Sequence, residues 1–155
     1  MADEGSDPPR DWRLDRNWQE LLQELRVVQT GVQILTGFLL TIPFTDRFHD
    51  LPPSRQGVYA VILTGAISAT LLLMTPVALH RALFHRGERP WLVETADLYA
   101  RLGLGTMALT VVGVTWFILD VVTTTWIASG VAILITAYVV VVWVLVPARE
   151  RRRNT

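Results

Sequence analysis

The feature that most constrains this chain is a long apolar run near its C-terminus. The segment WIASGVAILITAYVVVVWVLV, residues 126–146, contains no charged side chain. About 20 helical residues are enough to cross the roughly 30 Å hydrocarbon core of a bilayer. A helix in a small soluble protein would keep one polar face for water, and this segment has none. It therefore predicts a helix that crosses a membrane.

Three earlier segments have a similar length and little charge, and turn-forming residues separate them. Pro52 and Pro53 cannot continue a helix after the first segment, and three consecutive threonines at 123–125 predict a tight hairpin before the last. Pro147 predicts the end of the final span. The sequence thus predicts an all-α integral membrane four-helix bundle over residues 15–147, with spans at about 27–44, 57–79, 102–121 and 126–146.

The segments outside the spans are polar. Residues 1–14 are rich in acid and proline and predict a disordered tail, and residues 148–155 predict a basic C-terminal tail. The segment between the second and third spans predicts short amphipathic helices on the membrane surface. Its apolar contacts would be Phe84, Trp91, Leu92 and Leu98.

The first helix is longer than a bilayer requires. A helix from Trp18 to Phe44 has 27 residues. At about 1.5 Å per residue it would exceed the hydrocarbon core by roughly 10 Å. We therefore expect an N-terminal cytoplasmic extension of this helix, with Arg26 at the boundary, where its long side chain can reach the headgroups.

The distribution of arginine predicts the orientation. All fourteen basic residues are arginine, and twelve of them lie before the first span, between the second and third, or after the fourth. Only Arg47 and Arg55 lie on the other side. The positive-inside rule then places both termini in the cytoplasm and the protein in the cytoplasmic (inner) membrane. Candidate contacts to anionic headgroups are Arg81, Arg86, Arg151, Arg152 and Arg153.

Polar residues continue into the first span along one face. They recur at steps of three and four, as Gln19, Gln23, Arg26, Thr30, Gln33 and Gly37, with Gln29 and Thr36 beside them. A glutamine in hydrocarbon needs hydrogen-bonding partners, so we expect this stripe to point into the bundle. It would either bind neighbouring helices or line a path for a substrate or proton, and the first is the more frequent use. The candidate intramembrane polar face comprises Arg26, Gln29, Thr30, Gln33 and Asp120.

The second and third spans show small and polar faces that favour close helix packing. Gly65 and Ala69 form a small-residue pair in the second span. In the third, one face carries Thr106, Thr110, Gly113, Phe117 and Asp120. Asp120 falls near the outer end of its span, where Arg47 or Arg55 could pair with it.

Several classes of chemistry are not indicated. The chain has no cysteine, which excludes disulfides and thiolate sites. His80 and His85 are five residues apart and would point in different directions on a helix, so we predict no metal site. Nucleotide, hydrolase and nucleic-acid motifs are missing as well. We predict no cofactor, no nucleic-acid partner and no enzymatic activity.

One stretch carries a family resemblance. The segment QELLQELRVVQTGVQILTGFLLTIPF, followed by QGVYAVIL and PVALHRALFHRG, resembles a family of small bacterial four-span membrane proteins known only as domain of unknown function family 6328. The likeness runs from Asn17 to about Pro147. It implies a four-helix membrane fold and assigns no activity or catalytic residue.

Two kinds of function remain open. The favoured one is a non-enzymatic scaffold, sensor or partner-modulating module, which binds a membrane protein or a second copy. Its cytoplasmic helix from Asp15 to Arg26 would offer an apolar stripe formed by Leu14, Leu21, Leu22, Leu25 and Val28. The alternative is a small oligomeric transporter or channel lined by the polar stripe of the first span.

Overall fold

In the computed structural model the described residues are 10–83 and 89–153, and all secondary structure within them is helical. The helices are α1 (Arg10–Thr41), α2 (Asp46–His49), α3 (Pro53–Leu83), α4 (Arg89–Val122), α5 (Thr125–Val140) and α6 (Val146–Arg153). A 3-10 turn, Ile42–Phe44, follows α1, and a π-helical segment, Val141–Leu145, joins α5 to α6.

Four helical stretches are long and apolar enough to cross a membrane, which confirms the predicted fold class. They are Arg26–Phe44, Pro53–Leu79, Thr95–Val122 and Thr125–Glu150. The connections at one end are the short segment 42–52 and the threonine hairpin 123–124, so we call this the hairpin end. The start of α1, the end of α3, the start of α4 and the end of α6 lie towards the other end.

The N-terminal extension of α1 is longer than the sequence predicts. Residues 10–14, assigned to the polar tail, form the start of this helix, while residues 1–9 lie outside the described residues. The membrane-spanning part begins at Arg26. The preceding residues of the helix add about 24 Å at 1.5 Å per residue. Consequently α1 is one continuous rod that runs well beyond the span.

The predicted surface helices between the second and third spans are replaced by extensions of α3 and α4. Helix α4 begins at Arg89 and continues without interruption to Val122. Pro90 stands in its first turn, where a proline is tolerated because no helical N–H is needed there. Neither proline nor glycine follows until Gly103, so nothing separates a surface helix from the span. Phe84 lies outside the described residues.

Pro147 does not end the final helix, contrary to the prediction. The chain passes through the π-helical segment, in which the N–H of Val146 bonds to the carbonyl of Val141, five residues back. It then continues as α6 to Arg153. The wider π turn accommodates a proline ring that would collide with a carbonyl in a regular α-helix. The basic tail predicted at 148–155 is therefore helical as far as 153.

The spanning helices pack side by side in the order α1, α3, α4, α5, and the most extensive interface joins α3 to α4. Small residues allow this close approach, since Ala66 and Ala69 are completely buried. A Cβ placed on Gly103 would lie 2.7 Å from Cγ of Leu73, so only glycine fits against that side chain. Helix α5 packs on α4, where Trp116 Nε1 donates a hydrogen bond of 3.2 Å to Ser129 Oγ.

Two apolar clusters fill the interfaces among α1, α3 and α4. One contains Val32, Ala69, Leu73 and Ala100. The other lies nearer the hairpin end and contains Leu39, Tyr59, Ile62, Ala66 and Phe117. Helix α1 contributes Val32 and Leu39, which are seven residues apart and lie on the same face.

Candidate functional site

The hairpin end holds a buried carboxylate with two partners. Asp120, near the end of α4, is only 5% exposed. Arg55 approaches from the start of α3 and places its Nε 2.9 Å from Oδ2 of Asp120. Thr125, the first residue of α5, donates a hydrogen bond of 2.6 Å to Oδ1. We call these three residues the Asp120 clasp, because they join α3, α4 and α5.

Further contacts surround the clasp at the hairpin end. The hydroxyl of Tyr59 donates to the backbone carbonyl of Leu39 in α1. Its ring meets Phe48 edge-on at a centroid distance of 4.9 Å and is tilted against Phe117 at 5.7 Å. Gln56 Nε2 donates to the carbonyl of Leu51 at 3.0 Å. These contacts fix α1 and the connection 42–52 to α3 and α4.

Chemically, the clasp holds charge in place. Both oxygens of Asp120 are engaged, one by a guanidinium and one by a hydroxyl. A buried charge is tolerated when it is paired and hydrogen-bonded. The arrangement therefore supports the fold at this end.

Gln29 forms a second hydrogen bond between α1 and α3. Its Nε2 donates to the carbonyl of Leu73 at 2.7 Å. This carbonyl is adjacent to that of Leu72, which loses its helical donor because Pro76 has no N–H. Prolines within membrane helices are tolerated where neighbouring helices supply polar groups. Gln29 provides such a group beside the proline.

Four members of the polar stripe within the span lie on the outside of the single chain, which differs from the expectation that the stripe points into the bundle. Arg26, Thr30, Gln33 and Gly37 are all exposed. The interior is instead contacted by an apolar stripe on another face, composed of Val28, Val32, Leu35 and Leu39. Branched apolar side chains fit the alanine-rich surface of α3 more closely than long polar ones do.

The stripe's two central polar residues differ in their hydrogen bonding. Thr30 donates 3.0 Å to the carbonyl of Arg26 in its own helix and so is satisfied locally. Gln33 makes no hydrogen bond with any residue that the structure describes. Its primary amide has donors and an acceptor, and the surrounding span is apolar.

The five residues of the candidate polar face are thus not brought together. Three are exposed on α1, Gln29 lies between α1 and α3, and Asp120 lies in the clasp. Of the candidate headgroup contacts, Arg81 is exposed near the end of α3. Arg86 lies outside the described residues, as do the side chains of Arg151, Arg152 and Arg153.

Sequence reasoning named Arg55 as a possible partner of Asp120 but missed Thr125 and Tyr59. A spacing signal was present for the tyrosine. Arg55 and Tyr59 are four residues apart on α3, and Phe117 and Asp120 are three apart on α4, so each pair occupies one helix face. The two faces meet in the structure.

Comparison with known proteins places the chain in a family without assigning it an activity. No curated protein and no solved structure gives a significant match. The model of a family of unknown function, DUF6328, matches residues 7–147. That range includes the spanning parts of α1, α3 and α4, almost all of the final span, and both the Asp120 clasp and Gln33. The chain therefore belongs to the DUF6328 family.

Proposed function

We propose that this protein is a non-enzymatic membrane module that binds another membrane-embedded protein through α1. The observation that carries the proposal is the exposed polar stripe of Arg26, Thr30, Gln33 and Gly37 within an otherwise apolar span. Lipid tails cannot hydrogen-bond to an amide, whereas a partner helix can. A protein partner is thus the natural environment for Gln33.

The polar groups elsewhere in the described spans support a binding role. Gln29, Gln56 and Tyr59 all donate to backbone carbonyls, and the Asp120 carboxylate is held by Arg55 and Thr125. These groups secure the helices to one another. Of the three glutamines in the described spans, Gln29, Gln33 and Gln56, only Gln33 makes no hydrogen bond to a described residue, which favours an external contact for its face of α1.

The extension of α1 gives the module a second contact surface. It is continuous with the span, so a partner held by the stripe lies beside a helix that projects about 24 Å further. In the sequence, Leu14, Leu21 and Leu25, with Leu22 beside them, continue at helical spacing the face of Val28 and Val32. This predicted apolar stripe is therefore a surface separate from the polar stripe, on the other side of α1, and it is suited to a partner helix. We propose that this extension scaffolds a cytoplasmic segment of the partner.

The proposed setting is the cytoplasmic membrane of a bacterium, with both termini inside. The arginine distribution supports it, because twelve of the fourteen arginines lie on the side of the termini. Arg81 is exposed on that side, and Arg86, Arg151, Arg152 and Arg153 carry further positive charge there. Each would contribute about 1 kcal/mol of attraction to an anionic leaflet.

Photo-crosslinking in native membranes tests the proposal. A photoreactive residue replaces Gln33 on the stripe or, as a control, Phe38, which is 70% exposed on the same helix but off the stripe. We expect protein adducts from position 33 and chiefly lipid adducts from position 38. Lipid adducts alone from both positions would overturn the binding role.

The transport alternative makes a different prediction. A path lined by the stripe would have to form between copies of the chain, because the stripe faces away from the chain's own helices. Proton-linked uptake into vesicles would then decrease in Gln33→Leu. The same absence of flux in the wild type and in Gln33→Leu and Asp120→Asn variants would remove this alternative.

A further inference from the structure

We infer that the partner of the α1 stripe is a second copy of this chain, in a parallel dimer that pairs the two Gln33 amides across a two-fold axis. This inference rests on the proposed function and specifies its partner. The pairing would occur within the apolar part of the span Arg26–Phe44. It is supported by the spacing of the stripe, by amide chemistry and by the position of α1 in the row of helices.

The spacing of the stripe is that of a helix-pairing seam. Its residues are separated by three, four, three, four and three positions, as Gln23, Arg26, Thr30, Gln33, Gly37 and Leu40. All six are exposed. This alternation is the a and d pattern of a left-handed helix pair, in which the helices cross at about 20°. What distinguishes this face from a lipid-facing one is its composition, because Thr30, Gln33 and Gly37 gain nothing from hydrocarbon and are residue types that favour helix pairing.

The same heptad register places the two contact surfaces of α1, one for its own chain and one for a second copy, on different faces of the helix. Val28, Val32, Leu35 and Leu39 occupy the c and f positions, and these residues pack against α3 and α4. In a heptad, the f position is opposite the a and d seam. One helix can therefore bind its own chain with one face and a second copy with the other. Dimerisation would require no rearrangement of the packed core.

Amide chemistry favours identical partners. A two-fold axis places each seam residue beside its own copy. The Gln33 side chain has an N–H donor group and a carbonyl acceptor, so two copies satisfy each other without a further residue. Gly37 lies one turn away, and a Cβ placed there would meet nothing within 4 Å in the single chain. The glycine therefore leaves room for a second helix to approach closely.

Arg26 is compatible with this seam because of its position at the start of the span. Two guanidinium groups facing each other in hydrocarbon would repel. At the boundary, however, the long side chain can extend towards the headgroups and bind phosphate. The charged residue thus marks the end of the buried seam, and Gln33 lies near its middle.

Helix α1 is also accessible to a second copy, since it lies at one end of the row α1, α3, α4, α5. At the opposite end of the row, α5 carries Tyr138 near the middle of its span, and this residue is 66% exposed. The same cross-linking experiment can therefore compare α1 with α5 as the dimer contact. Tyr138 therefore provides the matched control for Gln33.

Disulfide cross-linking tests the dimer directly. The chain contains no cysteine, so any disulfide between two copies must join the introduced residues. Thr30→Cys and Leu40→Cys place thiols on the seam and leave Gln33 intact. Gly31→Cys and Phe38→Cys place them on exposed neighbouring positions. A disulfide requires Cα atoms within about 7 Å of each other. We expect oxidised homodimers in membranes from the two seam variants and not from their neighbours.

The role of the amide is tested in the Thr30→Cys background. Adding Gln33→Leu removes the donor and the acceptor, and we expect about a tenfold fall in dimer formation at a fixed protein-to-lipid ratio. Adding Tyr138→Phe to the same background should leave the dimer yield unchanged. Insertion of each variant is verified by its fractionation with the membranes.

The outcomes separate the inference from the proposed function. Homodimers confined to seam positions and weakened by Gln33→Leu would support the inference. Seam cross-links to a protein of different mass would overturn the second copy as partner but leave the binding role intact. Homodimers from Tyr138→Cys alone would place the contact on α5 and overturn the α1 seam. No protein cross-link from any position, with only lipid adducts in photo-crosslinking, would remove both proposals.

Discussion

Arg55 and Asp120 form an ion pair between the first turn of α3 and the last turn of α4, with Nε 2.9 Å from Oδ2. The carboxylate side chain is 4% exposed and the arginine side chain 37%. The pair thus joins a carboxylate that is shielded from solvent to a guanidinium that is partly exposed. It fastens the two helices with the most extensive interface at the point where each meets a turn.

We predict that Asp120→Asn destabilises the protein by about 2 kcal/mol, somewhat less than the loss of one partner from a fully buried pair, because Arg55 retains some solvent. Asparagine still accepts the hydrogen bond from Thr125 through its Oδ1. Its amide nitrogen then faces the Arg55 Nε, which is also a donor, so the change removes the charge pair and leaves two donors opposed. Thermal unfolding in detergent micelles, followed by circular dichroism, measures the loss.

A matched control for this variant exists on the same helix. Asp97 and Arg101 are joined at 2.7 Å, but their side chains are 45% and 61% exposed. An exposed pair four residues apart contributes only about 0.3–0.5 kcal/mol. We expect Asp97→Asn to leave the unfolding temperature almost unchanged. Equal losses in Asp97→Asn and Asp120→Asn would contradict the structural role of the clasp.

We predict that Gln29→Leu and Gln33→Leu behave differently although they are the same chemical change one turn apart. Gln29→Leu removes the 2.7 Å hydrogen bond to the carbonyl of Leu73 and should destabilise the single chain by about 0.6–1.7 kcal/mol. Gln33→Leu removes no described contact and should leave the stability of the monomer unchanged. Unfolding measured at high detergent-to-protein ratio, where chains are separated, distinguishes them.

We predict that Gly103→Ala is destabilising whereas Gly105→Ala is not. A Cβ at Gly103 would lie 2.7 Å from Leu73 Cγ and 3.2 Å from its backbone nitrogen, so α3 and α4 would have to separate. Overpacking of this kind costs about 1–3 kcal/mol. A Cβ at Gly105 meets nothing within 4 Å, and alanine there should gain up to about 1 kcal/mol of helix propensity. The two unfolding temperatures should therefore shift in opposite directions.

We predict that both termini face the cytoplasm. A reporter fused after Thr155 should be active only inside the cell, and an impermeant thiol reagent should label Asp50→Cys, an exposed position at the hairpin end, from outside. The physical reason is the excess of arginine on the side of the termini. Labelling of Asp50→Cys only after the membrane is opened would reverse this topology.

The spans were predictable because hydropathy is a local property. The composition of each apolar segment is enough to predict a membrane span, and the structure has a long apolar helix at all four. The length of the third span also predicted that Asp120 lies near its outer end. The choice of Arg55 over Arg47 was not predictable, because it depends on helix α3 starting at Pro53 and so directing Arg55 towards α4.

The direction of the polar stripe was not predictable from the same reasoning. Polarity within a membrane shows that Gln33 needs a partner, but it does not show whether that partner belongs to the same chain. The direction was decided by the fit of Val32 and Leu39 to the packed surface of α3 and α4. Pro147 was misjudged for a related reason, since a proline forbids a regular α turn but not the π turn found before it.

Helix α5 and its continuation combine the strongest hydropathy with the least burial. The span Thr125–Glu150 has the highest mean hydropathy of the four, 2.6, yet none of its most apolar stretch is buried within the chain. Ala128 is the one buried residue of α5. In a membrane, hydrocarbon tails would surround this helix where other helices have neighbouring side chains. Fluid tails can adapt to an apolar surface of any shape. We therefore expect exchanges among aliphatic residues in this stretch to disturb the packing of the chain very little.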